Sequence, residues 1–163
     1  MMKRMTAIVL CLMLVFSISG CSRRVEKAKE FEVEGLTITL TDAFKVKENP
    51  LYTSFFSQHI KIVVQPISVE SMGDFPLDEY ARQTCDALSV DQGPQVLTMP
   101  TPENNYVAEY SLEGTDETED TINMLAFYKS DDYYWNITFA CPSGEYASLK
   151  PQFLAWAETV KLP

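Results

Sequence analysis

The chain has 163 residues, and its 23 acidic side chains outnumber its 13 lysines and arginines, which gives a formal net charge of −10. A nucleic-acid-binding protein needs clustered Lys and Arg to displace counterions from phosphates. The charge balance therefore excludes nucleic acid as a partner. It leaves simple solubility, a cationic partner or a divalent ion as interpretations of the acidity.

Residues 1–20 have the features of a secretory signal peptide. Lys3 and Arg4 form a positive start, and Ala7 to Ile18 form an apolar stretch of 12 residues. A helix that spans a bilayer needs about 20 apolar residues, so this stretch is too short to span but suits a signal peptide. No other charged residue precedes Cys21, so the chain after the signal carries a charge of −12.

The segment Ile18-Ser19-Gly20-Cys21 resembles the lipobox of bacterial lipoproteins. An aliphatic residue and two small residues suit a peptidase site that takes extended chain, and the cysteine is obligatory. The resemblance implies cleavage before Cys21, covalent diacylglycerol on its thiol, and a lipid-anchored position on the extracytoplasmic face of the cell membrane. The alternative is an ordinary secretory signal with an incidental cysteine.

Residues 21–30 are interpreted as the lipidated cysteine followed by a charged tether, and residues 31–163 as a single domain. The tether lacks core residues. Its basic side chains would lie close to anionic headgroups, and they are Arg23, Arg24, Lys27 and Lys29. The alternative is a plain solvated spacer.

The first half of the domain is predicted to be four strands and a helix. Phe31 to Leu40 alternates apolar and polar residues around Gly35, which indicates a hairpin. Further strands are predicted over Tyr52 to Ser57 and over Lys61 to Val69. Pro66 is expected at an edge or bulge of the latter.

A helix is predicted to begin at Phe75-Pro76-Leu77 and to stop near Ser89. Proline is tolerated in a first helical turn, and acidic residues there match the helix dipole. Apolar residues recur at intervals of three and four to form one face. They are Leu77, Tyr80, Ala81, Cys85 and Leu88.

The second half repeats the order. Strands are predicted over Gln95 to Met99, Tyr106 to Leu112, Ile122 to Tyr128 and Tyr133 to Cys141. Ile122 to Tyr128 is expected to be central, and a turn should join it to the last strand. A final helix is expected from about Ser143 to Val160, with Ser143 at its N-cap and Pro151 bending or restarting it.

Strand runs separated by single helices indicate an α+β domain with a mostly antiparallel sheet, in the order ββββ-α-ββββ-α. This order, with GLTITLTDAF near the start, FPLDEYARQ in the first helix and WAETVKLP at the end, resembles the PsbP-like fold over residues 31–163. That fold is shared by the extrinsic photosystem II protein PsbP, Ran-binding Mog proteins and small bacterial lipoproteins. The resemblance implies a sheet flanked by helices, but no catalytic, metal or Ran-binding residues carry over to this chain.

Cysteine, histidine and acidic residues offer few chemical sites. Cys85 and Cys141 could form a disulfide in an exported protein, or they could be buried free thiols. His59 is the only histidine, and it is expected in a turn or at an edge. The stretch EGTDETED at 113–120 is acidic enough to suggest calcium or a solvated tip; its candidate ligands are Asp116, Glu117, Glu119 and Asp120. Sheet packing is expected for the aromatic cluster at 133–135, and a sugar or peptide groove is the alternative.

These features favour a non-enzymatic binding or protein-interaction module of the cell envelope. It would have no cofactor apart from the diacylglycerol on Cys21, and its partners would be the membrane and another envelope protein. The alternative is an accessory lipoprotein that senses a cation or a small ligand with the acidic hairpin 113–120. A hydrolase that uses His59 is a further hypothesis, but no nucleophile motif accompanies that residue.

Overall fold

In the computed structural model, which describes residues 26–90, 93–97, 105–115 and 118–163, the chain forms nine strands and three helices. The strands are β1 Ala28–Val33, β2 Leu36–Thr41, β3 Lys45–Asn49, β4 Tyr52–Phe56, β5 Lys61–Ser68, β6 Gln95–Leu97, β7 Asn105–Leu112, β8 Thr121–Lys129 and β9 Tyr133–Pro142. The helices are α1 Val69–Met72, α2 Leu77–Ala87 and α3 Tyr146–Ala157.

Seven strands form one antiparallel sheet in the order β3-β4-β5-β9-β8-β7-β6, and β1 pairs with β2 in a separate hairpin. The register between neighbouring strands continues without a bulge from β3 to β7. Residues directly opposite each other in an antiparallel pair lie on the same face. Every strand residue can therefore be assigned to one of two faces.

The β1–β2 hairpin closes through a two-residue turn. Glu34 and Gly35 have φ angles of 49° and 89°, and Val33 pairs directly with Leu36. Two positive φ angles suit a tight hairpin turn, and glycine adopts them without strain. A Cβ at position 35 would also lie 2.9 Å from the Cβ of Pro163, so the close approach of the C-terminal residue requires glycine as well.

The hairpin and α3 cover one face of the sheet, which we call the α3 face. Phe31 of the hairpin packs edge-on against Phe55 of β4, with ring centroids 5.1 Å apart. The buried hydroxyl of Tyr128 donates a hydrogen bond of 2.8 Å to the carbonyl of Ala157 at the end of α3. Backbone hydrogen bonds between Thr37 and Lys161, of 2.9 and 3.0 Å, attach the C-terminal segment to β2. These contacts join hairpin, helix and sheet into one core.

Helix α2 covers part of the opposite face, which we call the α2 face. The rings of Tyr80 on α2 and Tyr134 on β9 stack with centroids 4.0 Å apart. The Tyr134 hydroxyl accepts a hydrogen bond from the Phe75 amide at 2.5 Å and lies 2.8 Å from the Phe75 carbonyl. Lys129 contacts that carbonyl at 2.7 Å and the Asp74 carboxylate at 2.5 Å. The loop that starts α2 is thus held at two points.

The predicted α+β class and the mostly antiparallel sheet are confirmed, with two additions to the order. Strand β3 was not among the predicted elements, because its residues are all exposed and largely charged and its burial does not alternate. The single turn of α1 was not predicted either. Strand β1 begins at Ala28, so the predicted tether is shorter than 21–30. No helix in the described part of the chain is long and apolar enough to cross a bilayer.

Several element details differ from the predictions. The predicted central strand, Ile122 to Tyr128, is β8, which is interior and buried as expected, although the middle position of the seven belongs to β9. Helix α3 begins at Tyr146, with Glu145 rather than Ser143 at the N-cap, and continues through Pro151 without a restart. Pro66 does lie at a local edge, because pairing between β4 and β5 ends at Val64.

We predict that Tyr134→Phe lowers the free energy of unfolding by about 1–3 kcal/mol, because it removes the hydroxyl that satisfies the backbone of the loop before α2. Chemical denaturation measures this change. The matched control is Tyr133→Phe on the same strand, whose hydroxyl makes no hydrogen bond in the described structure and whose loss should change little. Equal effects of the two substitutions would contradict this account of the loop.

Candidate functional site

A groove of about 520 Å³ runs between α2 and the uncovered part of the α2 face. Its volume lies within the range of known ligand sites, roughly 300–1,000 Å³. The floor is formed by strand residues, among them Gln65, Leu125, Asn136 and Thr138. The wall is formed by the α2 residues Tyr80, Gln83, Thr84 and Ala87.

The floor of the groove carries an unused hydrogen-bond acceptor. The Asn136 side-chain amide donates through Nδ2 to the Tyr80 hydroxyl at 3.0 Å, which holds the amide in place. Its Oδ1 atom is buried and has no hydrogen-bond partner in the described structure. A buried acceptor without a partner costs about 1–3 kcal/mol. A bound N–H or O–H donor would remove that cost.

Tyr80 lines the groove, and its phenol hydroxyl stays protonated and neutral. Burial raises its pKa, and the hydrogen bonds to Asn136 and Thr84 act in the opposite direction without cancelling the shift. Met72 and Leu88 line the groove and remain 45% and 42% exposed. The groove therefore combines an apolar rim with amide and hydroxyl groups inside, a composition suited to binding.

His59 lies in the turn between β4 and β5, as predicted, and is exposed. Its Nδ1 atom is 3.7 Å from a carboxylate oxygen of Glu145. Cys141 lies near the same carboxylate, but burial first and Glu145 second raise the pKa of its thiol. An activated cysteine needs the opposite shift. These three residues therefore do not form an activated nucleophile.

Cys85 and Cys141 are both free and buried, so the disulfide that the sequence allowed does not form in this structure. Cys85 packs with the α2-face core, whereas Cys141 belongs to the α3-face core. The sheet itself separates them. Burial raises the pKa of the Cys85 thiol, and the negative charge of nearby Asp86 raises it further.

The acidic hairpin 113–120 connects β7 and β8. Asp120 accepts a hydrogen bond of 2.8 Å from the Gly114 amide, so one of its carboxylate oxygens is already bonded to the backbone of the turn. Asp116 and Glu117 lie outside the described residues. Among the residues that are described, Glu119 included, no three ligating side chains come together as a metal site. Calcium binding stays a prediction.

The predicted aromatic cluster lies within the sheet, and the predicted lipobox lies outside the described residues. The aromatic cluster divides between the faces: Tyr134 joins the α2-face core and Trp135 the α3-face core, as sheet packing requires. Ile18, Ser19, Gly20 and Cys21 all precede the described residues, so cleavage and lipidation stay predictions.

The groove was not predicted from the sequence. The one residue that could have indicated it is Asn136, a polar residue within the otherwise aromatic and β-branched run YYWNITFAC. A polar side chain inside such a strand needs a partner when it is buried. That partner, Tyr80, lies 56 positions earlier on a helix. Only the packing of α2 on the sheet reveals the pair.

No protein-family model and no curated protein sequence matches the chain. Solved structures do match its fold. The solution structure of the Synechocystis PsbP protein CyanoP superposes with a TM-score of 0.61 at 9% identity, over 87% of this chain and 96% of that one. A variant of protein Mog1 superposes with a TM-score of 0.55 at 12% identity, over 83% and 96% of the two chains.

A crystal structure from Bacteroides thetaiotaomicron superposes with a TM-score of 0.59 at 10% identity. The alignment covers 83% of this chain but 48% of that one, so this chain spans about half the length of its match. At these identities the similarity shows the fold. The PsbP-like architecture expected from the order of elements is therefore confirmed.

We predict that Cys85 and Cys141 are unreactive toward a thiol reagent in the folded protein, because burial keeps both thiols protonated and inaccessible. After unfolding in denaturant without reductant, both should be alkylated, as measured by mass spectrometry of their peptides. Alkylation that requires prior reduction would show that a disulfide had formed.

Proposed function

We propose that this chain is a lipid-anchored, extracytoplasmic, non-enzymatic binding module that holds another protein of the cell envelope in the α2 groove. The observation that carries the binding role is the unpartnered Asn136 oxygen at the floor of that groove. A partner that presents an N–H or O–H group on an apolar segment would satisfy this acceptor. The same segment would cover the exposed rim.

A protein segment fits the rim better than a small polar metabolite does. Met72 and Leu88 are two of the large apolar side chains that the described surface leaves exposed, and both border the groove. Protein interfaces combine a desolvated apolar centre with polar groups at the edge. Gln65 and Gln83 supply amide donors and acceptors beside the apolar rim.

Binding is favoured over catalysis because of the protonation and the position of the side chains that could react. The titratable residues that line the groove, Tyr80 and Tyr110, both have a pKa raised by burial and are neutral. The His59 and Glu145 pair is exposed and lies apart from the groove lining. A general base needs a nucleophile within hydrogen-bond reach, and neither position supplies one.

The proposal of a lipid anchor is supported by the lipobox-like segment that ends at Cys21. Lipidation would keep the module at a membrane surface, where a weak groove interaction gains from the high local concentration of membrane partners. Lys27 lies six positions after Cys21, so the anchor would lie within about 20 Å of the folded domain. The domain would therefore act close to the bilayer.

We predict that Cys21→Ser abolishes acylation and releases the protein from membranes, because serine lacks the thiol that would be alkylated. Metabolic labelling with a fatty acid and fractionation of cells measure both effects. Cys141→Ser is the control for loss of a thiol and should leave acylation unchanged. Continued membrane fractionation and acylation of Cys21→Ser would contradict the anchor.

We predict that Ala87→Trp blocks the groove without unfolding the domain, because Ala87 is exposed at the end of α2 and lines the groove. A photo-crosslinking side chain at Gln83 in intact cells should capture a discrete envelope protein, and Ala87→Trp should remove that adduct. Ala155→Trp is the matched control, an exposed alanine of α3 on the opposite side of the sheet.

The adduct should survive in the Ala155→Trp protein. No adduct at Gln83, or an adduct that Ala87→Trp leaves intact, would overturn the groove as the binding site. Thermal melting of both variants is the control for folding, and both should unfold at nearly the temperature of the unsubstituted protein.

A further inference from the structure

The basic side chains of this acidic domain fall into two groups. Four form ion pairs: Arg82 with Asp78, Lys129 with Asp74, Lys150 with Glu109 and Lys161 with Glu30. The other described lysines form no ion pair, and they are Lys27, Lys29, Lys45, Lys47 and Lys61. The unpaired lysines share one region of the fold, around the start of β1 and the β3 edge.

The strand register brings three of these lysines to one face. Lys45 lies opposite Phe56, which lies opposite Lys61, and Lys47 follows two residues along β3 on the same face. Lys61 also lies over the Phe56 ring, 5.9 Å from its centroid. We name Lys45, Lys47, Lys61, Tyr52 and Phe56 the lysine surface. It lies on the α2 face, beyond the part that α2 covers.

Acidic residues are kept away from the lysine surface within the sheet. The only acids in the described strands β3–β5 and β7–β9 are Glu48 and Glu109, and the register puts both on the α3 face. The acidic hairpin 113–120 lies between β7 and β8, toward the other edge of the sheet. The α2 face of β3–β5 therefore carries three lysines and no acid, whereas the acidic chain between β7 and β8 lies toward the other edge of the sheet.

The tether leaves the domain beside the lysine surface. The Lys27 carbonyl accepts a hydrogen bond of 2.8 Å from the Asp42 amide, and the Lys27 amide donates to the Asp42 carboxylate at 3.1 Å. Asp42 precedes Lys45 by three residues, a reach of about 10 Å at most. An anchor at Cys21 therefore brings the bilayer to the same end of the molecule as the unpaired lysines.

We propose that the lysine surface rests against the anionic headgroups of the membrane that holds the anchor. This inference rests on the proposed lipidation and adds an orientation to it. Each lysine near an anionic surface changes the partition between bound and free states by about fivefold. The half-exposed rings of Tyr52 and Phe56 would enter the headgroup layer, where amphipathic aromatic side chains are favoured. The acidic hairpin would be repelled from the same surface.

The test uses the full chain, purified with its anchor and reconstituted into two kinds of vesicle. One kind is phosphatidylcholine alone, and the other is equal parts of phosphatidylcholine and phosphatidylglycerol. An amine-reactive reagent modifies exposed lysines, and mass spectrometry measures each site. Lys161, which is exposed, pairs with Glu30 and lies against the β1–β2 hairpin rather than on the α2 face, is the internal control.

We expect Lys45, Lys47 and Lys61 to be modified several-fold more slowly than Lys161 on the anionic vesicles only. High salt should abolish the protection, because the Debye length falls from about 10 Å at 0.1 M to about 3 Å at 1 M. Equal modification on both vesicles, or protection that salt does not affect, would overturn the proposal.

A variant provides a second measurement. Lys45→Glu combined with Lys47→Glu changes two exposed residues of an edge strand, so the fold should tolerate it. It should remove the protection of Lys61, whereas Lys161→Glu should not. Flotation with neutral vesicles separates the two proposals. A protein that fails to float lacks the anchor, while one that floats with unprotected lysines retains the anchor but lacks this orientation.

Discussion

The structure depends on its middle strand, which contributes side chains to a separate core on each face of the sheet. Strand β9 is the middle strand of the seven, and its side chains alternate between two cores. Trp135, Ile137 and Phe139 enter the α3-face core, and Tyr134 enters the core beneath α2. A strand can satisfy two cores only if both of its faces are apolar or hydrogen-bonded. Its aromatic density and its single half-buried amide, Asn136, follow from this constraint.

The two faces of the sheet are covered unequally, and the proposed functions lie where cover is missing. The β1–β2 hairpin and α3 together close the α3 face. Helix α2 packs mainly over β7 and β8, so it leaves β3, β4 and the first half of β5 uncovered on its side. The groove forms along the margin of α2, with Asn136 at its floor. The lysine surface occupies the remainder of that face.

The difference in charge between the two surfaces would give them different partners under the proposals above. The groove is neutral and amide-lined, which suits a peptide segment, while the lysine surface suits an anionic bilayer. The sheet has six inter-strand steps of about 4.8 Å, so its far edge would stand roughly 29 Å from β3. With β3 next to the membrane, the groove in the middle of the sheet would remain within reach of another envelope protein.

Local chemistry in the sequence was enough to predict most of the strands and helices, and the export signal and lipobox remain predictions from the same kind of pattern. Alternation around Gly35 defined the hairpin because strand side chains alternate with a period of two, whatever the strand packs against. The tertiary structure decided which elements share a face. The pairing of β5 with β9 placed Lys61 beside Ala140, and the docking of α2 brought Tyr80 to Asn136. Cys85 and Cys141 were separated in the same way. Such pairings depend on how strands and helices far apart in the chain bury each other's apolar surface, which no local pattern encodes.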